Sequence, residues 1–123
     1  MAANKVARFG PVAIANAAAN LFNPPTITGG VNPPPSSLNT YIVLRRLRIV
    51  NKTGAAVNVS LWIGATGASA AGTEFAFNAT PVPAQLFLDW VGLTRLDTAD
   101  FLTGLAGAAA SLTIEGEGEI GVA

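Results

Sequence analysis

The chain is 123 residues long, enough for one domain and hardly two, and half of its residues are hydrophobic, alanine supplying much of that half. It contains no histidine and no cysteine, which excludes the usual neutral-pH general base, thiol nucleophiles, disulfides, iron–sulfur ligation and the common zinc sites. Only 11% of the residues are charged and the net charge is zero, so the chain reads as one that hides surface against copies of itself or a partner, and not as an enzyme.

The charges segregate along the chain. Residues 1–52 hold Lys5, Arg8, Arg45, Arg46, Arg48 and Lys52 with no acid, which gives +6. Residues 53–123 hold Arg95 against Glu74, Asp89, Asp97, Asp100, Glu115, Glu117 and Glu119, which gives −6. Either the two halves pair as neighbouring strands inside one domain, or the basic segment reaches an acidic face on another copy or another negatively charged partner. No stretch reads as a secretion signal, and none approaches the ~18 uninterrupted apolar residues of a membrane helix. The expectation is a soluble protein made in a cytoplasm, without a membrane partner.

In chain order, residues 12–22 (VAIANAAANLF) fit either a strand or a short helix: alanine favours the helix, while Asn16, Asn20 and the following Pro24-Pro25 oppose it. Pro24, Pro25, Pro33, Pro34 and Pro35 bracket Gly29-Gly30, so residues 23–37 can form neither a helix nor a central strand. That composition predicts a surface excursion, or an arm that orders on a neighbour. Two regions follow: an extended arm over 1–40 with a possible first strand, and a β-sandwich over 41–123.

From residue 41 the pattern is β. YIVLRRLRIVN ends at the turn signal Asn51-Lys52-Thr53-Gly54, and Val57, Val59, Leu61 and Ile63 then alternate with Asn58, Ser60 and Trp62. The two runs together predict an antiparallel hairpin. Residues 65–72 read as a loop, 74–78 as a short strand, and Pro81 and Pro83 as a bend. Gln85 to Val91 alternates with Leu86, Leu88 and Trp90 on one face, and LDTADFL reads as a turn feeding a strand, with Asp97 and Asp100 at turn positions. In the last run Leu112, Ile114, Gly116, Gly118 and Ile120 alternate with Thr113, Glu115, Glu117 and Glu119, one face inward and the other acidic. Six or seven short strands without a long helix predict an all-β fold: a compact antiparallel β-sandwich, jelly-roll-like, with an extended Pro/Gly-rich N-terminal arm.

Glu115, Glu117 and Glu119 form the one carboxylate constellation in the sequence, and on a strand they project about 6.5–7 Å apart. Arg46 and Arg48 share a strand face with matching spacing. Pairing with those arginines, within or between subunits, is the favoured reading; a solvated face and a calcium site, which would draw on a tight loop, are the others. A glycosidase-like pair needs acids across a cleft, not on one strand. GATGASAAG at 64–72 lacks the lysine and the helix of a phosphate-binding loop. Arg45, Arg46 and Arg48 inside an apolar strand make a weak nucleic-acid footprint. Trp62, opposite the apolar row of its strand, is either an exposed interface residue or part of a two-sided strand covered by the N-terminal arm. No catalytic residue, metal ligand or cofactor is assigned.

The stretch LRRLRIVNKTGAAVNVSLWIGATGASAAGTE (44–74), with an IRVVN-type strand, a T-G-x-A-V turn and a VSLxIG strand, resembles small all-β structural proteins of tailed bacteriophages and prophages. GLTRLDTADFLTG and the alternating terminal strand are similar to that group too, and the resemblance spans roughly residues 40–121. The chain departs from the pattern in its Pro/Gly-rich insertion between Asn23 and Asn39. The resemblance implies a virion component, foremost a capsid decoration or minor capsid protein that binds the major capsid protein and copies of itself, a trimer being favoured. A tail or head–tail junction protein is the alternative, and a carbohydrate-binding β-sandwich module the alternative of another class. The interface residues expected are Arg45, Arg46, Arg48, Trp62, Glu115, Glu117 and Glu119, with Pro24, Pro25, Pro33, Pro34 and Pro35 of the arm.

Overall fold

A computed structural model describes residues 5–22, 40–64, 72–97 and 100–122, and none of these is helical. Eight strands follow one another: β1 (Lys5–Ile14), β2 (Ala19–Phe22), β3 (Thr40–Asn51), β4 (Val57–Gly64), β5 (Thr80–Val82), β6 (Phe87–Leu96), β7 (Phe101–Ala106) and β8 (Leu112–Val122). They form two four-stranded antiparallel sheets, ordered β1-β8-β3-β6 and β2-β7-β4-β5. The open choice over residues 12–22 resolves as strand: β1 pairs with β8 and β2 with β7, so residues 5–22 are laddered into both sheets. The proline-rich residues 23–39, with Pro24, Pro25 and Pro33 to Pro35, lie outside the described residues.

The two sheets share one core. Ile42, Leu44, Leu47 and Ile49 of β3 and Leu112, Ile114 and Ile120 of β8 join Val57, Val59 and Leu61 of β4 and Leu102 and Ala106 of β7 in a single cluster. Burying such side chains is the main force holding a fold of this kind, at about 25 cal/mol per Å² of apolar surface.

The inward residues of β3 change parity, from Ile42 and Leu44 to Leu47 and Ile49. A bulge explains it: Leu44 opposes Gly118 and Arg46 opposes Glu117, so Arg45 is an extra residue against β8. Inward-facing Gly116 and Gly118 belong to the same feature. A Cβ at Gly116 would meet the Phe9 ring at 2.6 Å and the Arg46 carbonyl at 2.7 Å, and one at Gly118 would run into the Val43 carbonyl oxygen.

The expected β3–β4 hairpin is corrected: β3 lies in the first sheet and β4 in the second. The cause is the corner between them. The buried Asn51 side chain donates from Nδ2 to the carbonyls of Ala55 (2.9 Å) and Val82 (3.0 Å), while its Oδ1 accepts from Thr53 N–H (2.9 Å) and from Thr53 Oγ1 (2.7 Å). One side chain thus binds both the turn and β5 of the opposite sheet, and the chain crosses over instead of folding back. Among the described strands, β4 and β5 are the one sequential pair that are neighbours in a sheet.

The short strand expected at 74–78 is reduced to a bridge between Glu74 and Trp62. Backbone bonds still tie Thr73, Phe75 and Phe77 to Leu61 and Ile63, but Ala76 at φ 64° breaks the extended run. The run expected from Gln85 begins at Phe87 instead, because Gln85 adopts φ 59°, and it continues to Leu96. Leu86 is therefore exposed outside the strand, while Leu88 and Trp90 pack against the core.

Candidate interaction face

The outer face of the first sheet gathers the charged side chains. Arg46 grips Glu115 with two contacts, Nη1 to Oε1 at 2.8 Å and Nη2 to Oε2 at 2.9 Å, and its Nε reaches Glu117 Oε1 at 3.4 Å. A planar guanidinium fits two carboxylate oxygens at once, which a lysine could not do. Arg48 turns the other way, to Asp89 on β6, with Nε to Oδ1 at 2.7 Å and Nη2 to Oδ2 at 2.8 Å. Arg45, at the bulge, approaches Glu119 at 3.7 Å. The structure therefore joins β3 to both of its neighbours by ion pairs within one chain. The basic and acidic segments meet as neighbouring strands, the first of the two readings that the charge pattern left open.

Electrostatics follow the contacts. The hydrogen bonds from Arg46 lower the Glu115 carboxyl below its ordinary value, and the positive charges of Arg46, Arg8 and Arg48 add to this against partial burial. Asp89 is lowered by the Arg48 hydrogen bond. Arg46 and Arg48 are raised in turn by their bonds to Glu115 and Asp89. A carboxyl held ionised in this way is the reverse of what a general acid needs. Among the described residues no group of three or more acids is placed to hold a metal ion.

The other expected residues fall elsewhere. Trp62 is 8% exposed, so the reading of it as a bare interface ring is corrected. Its strand is covered on both faces: Ser60, on the Trp62 side, is also buried and accepts the Ala79 N–H at 2.8 Å. Trp90 packs edge-on to Phe75 at 4.9 Å, and the Arg95 guanidinium sits 4.3 Å over the Tyr41 ring. Residues 65–71 of the glycine-rich loop lie outside the described residues. A shallow cleft of about 230 Å³ is lined by Ala56, Val57, Asn58, Gly107 and Ala108, none of which can titrate.

Two features escaped the sequence reading. Asp89 as the partner of Arg48 is one; the register of β3 against β6 creates it, and no local motif announces it. The other is the outward row of β6, where Val91 is 77% and Leu93 73% exposed beside Phe87. Its signal was present but ambiguous, since Leu88 and Trp90 make the opposite face of the same strand apolar as well. Compared with known protein families, with curated proteins and with solved structures, the chain finds no match in any of the three.

Proposed function

We propose that this chain is a structural protein of a tailed-phage virion, a decoration or cement protein that stabilises the capsid shell by non-covalent contacts with the major capsid protein and with copies of itself. Its fold on this reading is a jelly-roll sandwich, into which residues 5–22 of the expected arm are built as β1 and β2, leaving the proline-rich stretch as the connection from β2 to β3. The strand order is the observation that carries the reading. The orders β1-β8-β3-β6 and β2-β7-β4-β5 support a jelly roll of two Greek keys, an architecture that recurs in viral capsid domains. Architecture alone assigns no role, and the resemblance of residues 44–74 to phage structural proteins supplies the second support. The outer face agrees with a passive role: its charges satisfy one another, while apolar side chains on β6 stay open to a partner.

The test is quantitative mass spectrometry of virions of the encoding phage, separated into heads and tails. Hundreds of copies in the head fraction are expected. A few copies that follow the tails move the role to the tail or the head–tail junction. Absence from both fractions overturns the virion reading and returns attention to a glycan-binding module.

A further inference from the structure

Four of the described strands lie at sheet edges, and three of them are blunted: β1 by Pro11, β2 by its length of four residues, and β5 by its length of three and by Pro81. The fourth, β6, runs for ten residues without a proline or a lysine. Natural sheets block edges of that kind because an open, apolar one recruits another strand. Along β6 the outward side chains read Phe87, Asp89, Val91, Leu93 and Arg95, and the central pair, at 77% and 73%, is the most exposed of the large apolar residues among those described.

That row is complementary to itself. We infer that β6 is a homodimer interface, in which two copies set their β6 strands side by side and antiparallel about a two-fold axis beside Gly92. In this register Val91 faces Leu93 of the second copy, and Asp89 faces Arg95 of the second copy, each pair occurring twice. Cross-strand neighbours at such positions lie about 4.5–5.5 Å apart at Cβ, within reach of both kinds of contact. Asp89 already binds Arg48, and Arg95 binds Asp97 at 2.6 Å. The dimer therefore lines up Arg48, Asp89, Arg95 and Asp97 with alternating sign across the boundary.

Other registers lose this match. Shifting the axis to Leu93 sets Asp89 against Asp97 of the second copy, and shifting it to Val91 sets Asp89 against Leu93. A parallel arrangement in register places like charges together. Charge thus selects one antiparallel register, and its symmetry is two-fold where the resemblance to phage structural proteins implied a trimer. The inference is independent of the virion reading, since it concerns the isolated chain in solution.

Sedimentation velocity of the full chain tests it. The parent chain is expected to be a dimer in the micromolar range. Asp89→Arg and Arg95→Asp each create repulsion twice over, so each alone dimerises at least about tenfold more weakly. An equimolar mixture of the two restores dimers, because one chain then presents two cations and the other two anions at matching positions. The mixture also shows that both variants are folded. A parent chain that is monomeric up to about 100 μM overturns the inference, since its dissociation constant then lies beyond that range. So does a trimer, a variant that dimerises as well as the parent, or a mixture that stays monomeric.

Discussion

Arg46 binds Glu115 through both carboxylate oxygens, although the residue directly opposite Arg46 in the β3–β8 ladder is Glu117. The bulge at Arg45 produces this diagonal reach, and Glu117 keeps a longer contact at 3.4 Å. The pair is partly exposed, so solvent screens it and its worth is modest. A double-mutant cycle of Arg46→Ala with Glu115→Ala, read by urea unfolding, is expected to give a coupling of about 0.5–1 kcal/mol. A coupling near zero would mean that the two-pronged contact adds nothing to the fold.

Acid should weaken the fold through the same groups. Glu115 and Asp89 have folded-state values below the ordinary carboxylate range, so the folded state binds protons less readily than the unfolded chain. Their contribution is present above the unfolded value of about 4 and is lost as pH falls through the folded values. The urea midpoint is expected to hold steady near neutral pH and to drop below about pH 4. The drop should be smaller in Arg46→Ala, where Glu115 has lost its main partner. An identical acid profile in that variant would remove Glu115 from the account.

Most of the fold could be read in advance because alternation marks strands well. The acidic terminal strand followed from side-chain parity, which also favoured pairing of Glu115, Glu117 and Glu119 with Arg46 and Arg48, within or between subunits; Arg46 does so within the chain, while Arg48 takes Asp89. The parity of β3 carried more than was drawn from it: inward residues at 42 and 44 and then at 47 and 49 announce a bulge. The hairpin expectation failed for a different reason. Turn residues at 51–54 say that the chain reverses, but the choice between sheets is made by Asn51 reaching Val82, a residue 31 positions away. Trp62 was left between two readings, an exposed interface ring and a two-sided strand, because alternation assigns a face and cannot say what covers it. The partner of Arg48 depended on how β6 registers against β3, which no local pattern encodes.

The corner at Asn51 can be probed directly. Asn51→Ala takes the Asn51 donor from the Val82 carbonyl and from the Ala55 carbonyl, the latter keeping Thr53 Oγ1 at 2.9 Å, and removes the acceptor for Thr53. Each buried group left unsatisfied costs about 1–3 kcal/mol, so a loss of roughly 2–4 kcal/mol is expected. Asn51→Asp keeps the shape and the acceptor but removes both donors, and it should lose a large part of the same stability. If Asn51→Asp matches the parent in a urea titration, the donors to Ala55 and Val82 do not hold the corner.

Gly118 tests whether the bulge leaves room on the inward face of β8. A Cβ there would meet the backbone of Val43 and Leu44, which are fixed in the β3–β8 ladder and cannot swing aside as a side chain would. Relief requires the two strands to part, which would strain the core around Ile42 and Ile120 as well. Overpacking of a dense interior costs typically about 1–3 kcal/mol, and a backbone clash belongs at or above the upper end. Ala at Gly64 is the control, because nothing lies within 4 Å of the corresponding Cβ position. Gly118→Ala should therefore unfold at clearly lower urea than Gly64→Ala. Equal midpoints would show that the two strands lie farther apart than the ladder places them.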